Sequence, residues 1–242
     1  MKIVGRSDVG MRRKNNEDSF RFGSFEDGVV WAVVCDGMGG AAGGQTASML
    51  ACDMVGNKIQ KCYNKSMSDF SIENLLLSAI TTANVTVFDR AQTDDALSGM
   101  GTTIVACVIK DNVACVAHVG DSRAYHIRSG EIKQITKDHS LVQQMLDNGQ
   151  ITKEQFDNHP NKNIITRALG INESIEIDFD TVELEDNDAL ILCTDGLSGS
   201  VTDSYMLALF EKNEFDDVAE KFVEAANQNG GHDNITVVAI RN

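Results

Sequence analysis

Apolar residues along the chain gather in short, nearly unbroken runs separated by polar turns. "VVWAVVC" (29–35), "TTIVACVI" (102–109), "VACVAHV" (113–119), "ALILC" (189–193) and "NITVVAI" (234–240) are rich in β-branched residues. A half-exposed strand would alternate apolar with polar, so runs of this kind predict strands covered on both faces. "RAYHIRSGEIKQIT" (123–136) does alternate, in two halves joined at Ser129-Gly130, and predicts a β-hairpin. Helical spacing occupies 43–63 and 71–92, the second with Leu75, Leu76, Ala79, Ile80, Ala83 and Val87 on one face and Ser71 as cap. A third helix fits 216–231, where Gly230-Gly231 is a natural stop. The two long helices follow one another with no strand between, and the next strands run consecutively. That order is not βαβ alternation; it predicts an α+β sandwich with sheets in the middle and helices outside.

Composition narrows the class. With 242 residues, a single proline (Pro160) and no Ser/Gly/Pro-rich linker, residues 1–242 are expected to form one domain. A formal net charge of -15 argues against nucleic acid and anionic membrane surfaces as partners, because phosphate attracts the opposite sign. The N-terminus has no apolar signal-like region and no stretch reaches membrane-spanning length, so a cytoplasmic protein is expected. Cys35, Cys52, Cys62, Cys107, Cys115 and Cys193 show no CxxC spacing and read as residues of a reduced protein, several of them in its core. The five histidines are scattered, with His118 expected inside a buried strand.

The chemistry lies in the acids. In "VVCDGMGG" (33–40) an apolar strand ends at Asp36, and a lone charge moved out of water is costly. Asp195-Gly196 follows another apolar run, Asp121 follows a strand and a glycine, and Asp233-Asn234 precedes a strand. Glu17-Asp18 stands beside Arg12, Arg13 and Lys14. Each of these alone is an ordinary turn or a surface ion pair. Brought together, unit charges about 4 Å apart would repel by roughly 4 kcal/mol per pair at an effective dielectric near 20, a cluster tolerable only around cations. Oxygen donors without clustered His or Cys favour Mg(II), Mn(II) or Ca(II) over zinc or iron.

In order, "RRKNNEDS", "VVCDGMGG", "SGMGTTIVA", "VGDSRAY", "KDHS", "ILCTDGL" and "GGHDNITVV" resemble the motifs of metal-dependent protein phosphatases of the PPM (type 2C) family in their compact bacterial form. The resemblance runs from about residue 3 to residue 240. It implies an αββα sandwich of two central antiparallel sheets, and hydrolysis of phosphoserine and phosphothreonine in proteins, opposing a Hanks-type Ser/Thr kinase. It implies two Mn(II) or Mg(II) ions bridged by Asp36, with the Gly37 carbonyl and Glu17 on the second ion, Asp195 and Asp233 on the first, and Asp18 and Asn234 in support. Asp121, with Asp195, matches the site of a third, weaker ion, and Arg13 the arginine that grips the substrate phosphate. Residues 139–170 correspond to a mobile flap, and a monomer is expected. Two ions about 3.5–4 Å apart can share a water and clamp phosphoryl oxygens, so no protein nucleophile is needed.

Two positions depart from the pattern. Met38 stands where many eukaryotic relatives carry a histidine proposed as general acid, and Gly199 stands where some relatives have another acid. Three other readings compete. Gly37-Met38-Gly39-Gly40-Ala41-Ala42 formally matches a dinucleotide-binding fingerprint, although Asp36 would face the pyrophosphate. The same fold could serve as a non-catalytic pseudo-phosphatase, or act on one dedicated phosphoserine regulator.

Overall fold

A computed structural model describes residues 1–39, 43–157 and 159–242. Gly40, Ala41 and Ala42, the last three positions of the dinucleotide-like fingerprint, lie outside the described residues. One sheet contains β1 (Lys2–Asp8), β7 (Arg123–Arg128), β8 (Glu131–Gln134), β10 (Ala189–Cys193) and β11 (Ile235–Arg241), in the order β1-β11-β10-β7-β8. The other has the order β2-β3-β5-β6-β9, built from β2 (Asp18–Ser24), β3 (Val30–Met38), β5 (Ile104–Lys110), β6 (Val113–Val119) and β9 (Asp178–Glu183). A two-residue strand, β4 (Gly101–Thr102), pairs with the far end of β3. Among the described residues every strand pairing is antiparallel.

The two long helices are α1 (Gly43–Cys62) and α2 (Asp69–Thr93); α3 (Leu141–Asp147) and α4 (Lys153–Asp157) lie in the 139–170 segment. After β10 come α5 (Asp195–Ser198), α6 (Asp203–Lys212) and α7 (Val218–Gln228). The two-sided apolarity of the central strands has a direct cause. In β3 the period-two alternation sends Trp31, Val33 and Cys35 toward α1 and α2, where they join Ile59, Leu76, Ile80 and Val87. Val30, Ala32 and Val34 point the other way and meet Val105, Cys107, Leu190, Leu192 and Val238 between the sheets. On the outer face of the five-stranded sheet, Ile191, Val237 and Ala239 pack on Phe222 and Ala226 of α7. Four layers result, αββα, as the resemblance implied.

Local signals explain most boundaries. The hairpin turns on Ser129 and Gly130, with φ of 51° and 78°, the pair of positive values a two-residue turn needs. Helix α2 begins earlier than the expected Ser71: Ser68 is its cap, accepting a hydrogen bond from the Ser71 N–H at 3.3 Å. Gly230 and Gly231 end α7 with φ of 115° and 48°. The Gly231 carbonyl then accepts the N–H groups of Met11 (2.8 Å) and Arg12 (3.1 Å), which docks the N-terminal loop onto this turn. Among the described residues no helix is long and apolar enough to cross a membrane.

Candidate metal centre

Asp36 sits near the end of β3, directly opposite Asp18 of β2 in the strand register. Because β2 begins at Asp18 and β3 carries Asp36 near its close, their antiparallel pairing places both groups at one end of the sheet. The apolar run expected over 102–109 is interrupted at Thr103, between β4 and β5, and the interruption serves Asp36. Thr103 Oγ1 accepts the Asp36 N–H (3.0 Å), and the Asp36 carbonyl accepts from the Thr103 N–H (2.9 Å) and Thr102 Oγ1 (2.8 Å). With its backbone satisfied in this way, the Asp36 carboxylate is left to the cleft.

Asp195 opens α5 immediately after β10, so its position is set by a strand end and a helix start together. Gly196 makes this junction possible: a Cβ there would overlap the Asn234 carbonyl. Gly196→Ala should therefore destabilise the protein by about 1–3 kcal/mol, by analogy with overpacked cores, and urea denaturation would measure it. Asn234 itself is fully engaged. Its Oδ1 accepts the Glu17 N–H at 2.8 Å, and its Nδ2 donates to the carbonyls of Val9 and Asn15, both at 2.9 Å. This residue ties the 9–17 loop to the strand end and thereby brings Arg13 within 2.7 Å of Asp233 Oδ2. Gly37 is equally confined, since a Cβ would run into the Gly44 carbonyl at the start of α1 and reach the Glu17 carbonyl at 2.6 Å.

The residues singled out by sequence thus meet: Arg13, Glu17, Asp36, Gly37, Asp121, Asp195, Asp233 and Asn234 line one cleft of about 560 Å³. Asp18 lies beneath them, buried, with Oδ2 accepting from Thr194 Oγ1 at 2.9 Å. Sequence reading missed Thr102, Thr103 and Thr194; the signal was present, since all three fall inside quoted motifs next to the acids. From the 139–170 segment, Asn163 and Ile165 reach the same cleft.

The electrostatics of the cluster are unfavourable in isolation. Burial pushes the Asp36 carboxyl well above the ordinary range, and Asp18, Asp195, Asp121 and Asp233 push it further the same way. Burial and Asp195 raise Asp121 to about 8. Asp18 is pushed up to about 7 by burial, with Asp195 and Asp233 adding to it against the hydrogen bonds from Thr236 and Thr194. Asp195 moves upward for the same reason, burial first and then Asp233. Among the described residues four buried side-chain atoms have no hydrogen-bond partner, and two of them are Asp18 Oδ1 and Asp195 Oδ1. Hard oxygen donors that repel one another and lack protein partners fit divalent cations of the Mg(II), Mn(II) or Ca(II) kind.

A two-sheet sandwich flanked by helices, with an acid cluster and an arginine at one end, defines the class. The chain matches the family model "Protein phosphatase 2C" over residues 9–237. It is 36% identical over 236 residues to "Serine/threonine phosphatase stp" of Listeria welshimeri, which covers 97% of this chain and 93% of that protein. A solved serine/threonine phosphatase of S. agalactiae superposes with a TM-score of 0.91 at 35% identity, covering 98% of each chain. The catalytic domain of the serine/threonine protein phosphatase PstP, solved in complex with 2 manganese ions, gives 0.85 at 33% identity, covering 98% of this chain and 96% of that one. The chain belongs to the protein phosphatase 2C family. It is a protein Ser/Thr phosphatase, and phosphorylated proteins are its substrates.

Proposed function

We propose that the acid cluster is the metal centre of this phosphatase and that Arg13 is its phosphate-binding residue. Asp36 would bridge two ions, Asp195 and Asp233 completing the first site and Glu17 with the Gly37 carbonyl the second. Asp18 and Asn234 would act as supports, and Asp121 with Asp195 would hold a weaker third. The observation that carries this reading is the convergence of these carboxylates with two buried, unpartnered oxygens. Mn(II) or Mg(II) is the expected occupant, and the manganese in the PstP structure supports that choice. Ions of this kind lower the pKa of a bound water and neutralise phosphoryl oxygens.

The chain's own residues do the rest. One nitrogen of the Arg13 guanidinium is used on Asp233, so its remaining donors can receive two phosphoryl oxygens in the forked geometry that suits arginine. The Asp233 contact fixes where that fork points. Met38 carries no transferable proton, so the departing seryl or threonyl oxygen draws its proton from water in the cleft. Three hydrogen bonds hold the Asp36 backbone, two of them through threonine hydroxyls, and fix the point from which its carboxylate enters the cleft. The β3 strand continues through Gly37 and Met38, paired with Thr102 and Gly101, so the first glycine of the dinucleotide-like fingerprint lies within a strand and not in the tight turn such a site places there.

Arg13→Ala should raise KM for p-nitrophenyl phosphate about tenfold, the loss of one charge-assisted hydrogen bond, with a smaller effect on kcat. Steady-state kinetics would check it, and an unchanged KM would make Arg13 a surface charge. We further propose that the whole chain acts as one catalytic domain with residues 139–170 as its flap, and that it works as a cytoplasmic monomer opposing a Hanks-type kinase. Nucleic acid is not an expected partner of a chain with net charge -15.

A further inference from the structure

Outside the acid cluster, His118, His139 and Asp178 place ligand atoms within 4.8 Å of one another, and the buried His118 Nδ1 has no hydrogen-bond partner. The charges argue against a second metal there. His139 Nδ1 accepts the Gly120 N–H at 3.0 Å and is not open to a cation, and Nε2 faces Asp178 Oδ2 at 3.3 Å. The Arg167 guanidinium already supplies the local positive charge, 2.6 Å from Asp178 Oδ1 and 3.1 Å from His139 Nε2. The group has another use.

Gly120 and His139 clasp each other twice. The His139 N–H donates to the Gly120 carbonyl (2.9 Å), and the Gly120 N–H donates to His139 Nδ1. Gly120 immediately precedes Asp121 and has φ of 107°; a Cβ there would meet Thr103 Cγ2 at 2.6 Å. The following residue, Ser122, is hydrogen-bonded through Oγ to Thr103 Oγ1 at 2.7 Å. The turn carrying Asp121 is therefore pinned between Thr103 and His139. His139 also stands at the entry to the flap and holds its exit: its carbonyl accepts the Thr166 N–H at 2.8 Å, and the next residue, Arg167, closes onto Asp178. A few residues further, Leu169 exchanges two backbone hydrogen bonds with Thr102, the residue that caps the Asp36 carbonyl.

We propose that His139 is a positioning residue that latches both roots of the flap to the Gly120–Asp121 turn and so sets the affinity of the weak cation site. This rests on the reading of Asp121 as a ligand of that site. The test is Mn(II) binding, followed by the electron paramagnetic resonance of the free ion, on the full-length protein. His139→Ala should weaken the weakest site about tenfold, the scale of lost outer-sphere support at metal sites. His139→Asn, whose Oδ1 can accept the Gly120 N–H in place of Nδ1, should restore it. In an Asp121→Asn background, His139→Ala should cause no further loss. Unaltered weak-site affinity in His139→Ala, or an equal further loss in the double variant, would overturn the proposal. Asp121→Asn leaving the weak site intact would instead overturn the ligand reading on which it rests. Should the alanine variant fail to fold, His139→Gln, which keeps bulk but displaces the acceptor, takes its place.

Discussion

Asp36→Asn is expected to lower kcat roughly 10²- to 10⁴-fold, because cation stabilisation of a phosphoryl-transfer transition state amounts to several kcal/mol and each 1.36 kcal/mol is a factor of ten. The same substitution should raise the melting temperature of the metal-free protein. Burial and, after it, four neighbouring carboxylates oppose ionisation of Asp36, so an amide of equal shape removes repulsion without opening a cavity. A merely structural aspartate would behave the other way, losing stability and keeping the rate. Turnover of a phosphothreonine peptide together with calorimetry in EDTA separates the two. A variant with near-native kcat would remove Asp36 from the centre.

Metal-free protein should lose stability as pH rises from 5 to 8, and Mn(II) should reverse the loss. The sign follows from the direction of the shifts. Asp18 and Asp121 are raised to about 7 and about 8 in the folded chain, and Asp36 and Asp195 also move upward. Unfolded aspartates titrate near 3.9, so between about pH 4 and pH 8 the native state binds more protons than the unfolded one, and stability falls with rising pH. Cations take the place of those protons, so their effect is largest at the alkaline end. A free Mn(II) concentration about a hundredfold above Kd adds about 2.7 kcal/mol, which for a chain of this size is a rise of roughly 5–10 °C in Tm at pH 8, and less at pH 5. Thermal scans at both pH values, with Mn(II) and with EDTA, check it. A melting temperature indifferent to Mn(II) at pH 8 would contradict the cation reading of the cluster.

What the sequence could disclose was governed by burial. The strands read correctly, β3, β5, β6, β10 and β11, lie inside the sheets, where both faces are covered and apolar runs are continuous. The missed strands, β1 "KIVGRSD", β2 "DSFRFGS" and β9 "DFDTVE", are sheet edges, where exposure permits charge and blurs the pattern. The fourth edge, β8, was legible because its hairpin turn announced it. Helix α6 escaped because, of its described residues, Met206 alone is fully buried.

At the site, acids recurring at strand ends were visible one by one, and their order carried the family resemblance. Their mutual support was not visible. Asn234 reaches Val9, Asn15 and Glu17, and His139 reaches Gly120 and Thr166, through contacts between residues far apart in the chain. Such pairings leave no local spacing to read. Thr103 shows the same limit: it looked like one more β-branched strand residue, and its hydroxyl interrupts the strand to hold Asp36.

The most direct test of the account is hydrolysis of a phosphothreonine peptide at pH 8 by the native protein, with Mn(II), with Mg(II), with Ca(II) and with EDTA. Turnover that requires Mn(II) or Mg(II), stops in EDTA and returns when the ion is restored is the predicted result. Equal turnover in EDTA, or none with any of these ions from a protein shown to be folded, would contradict it.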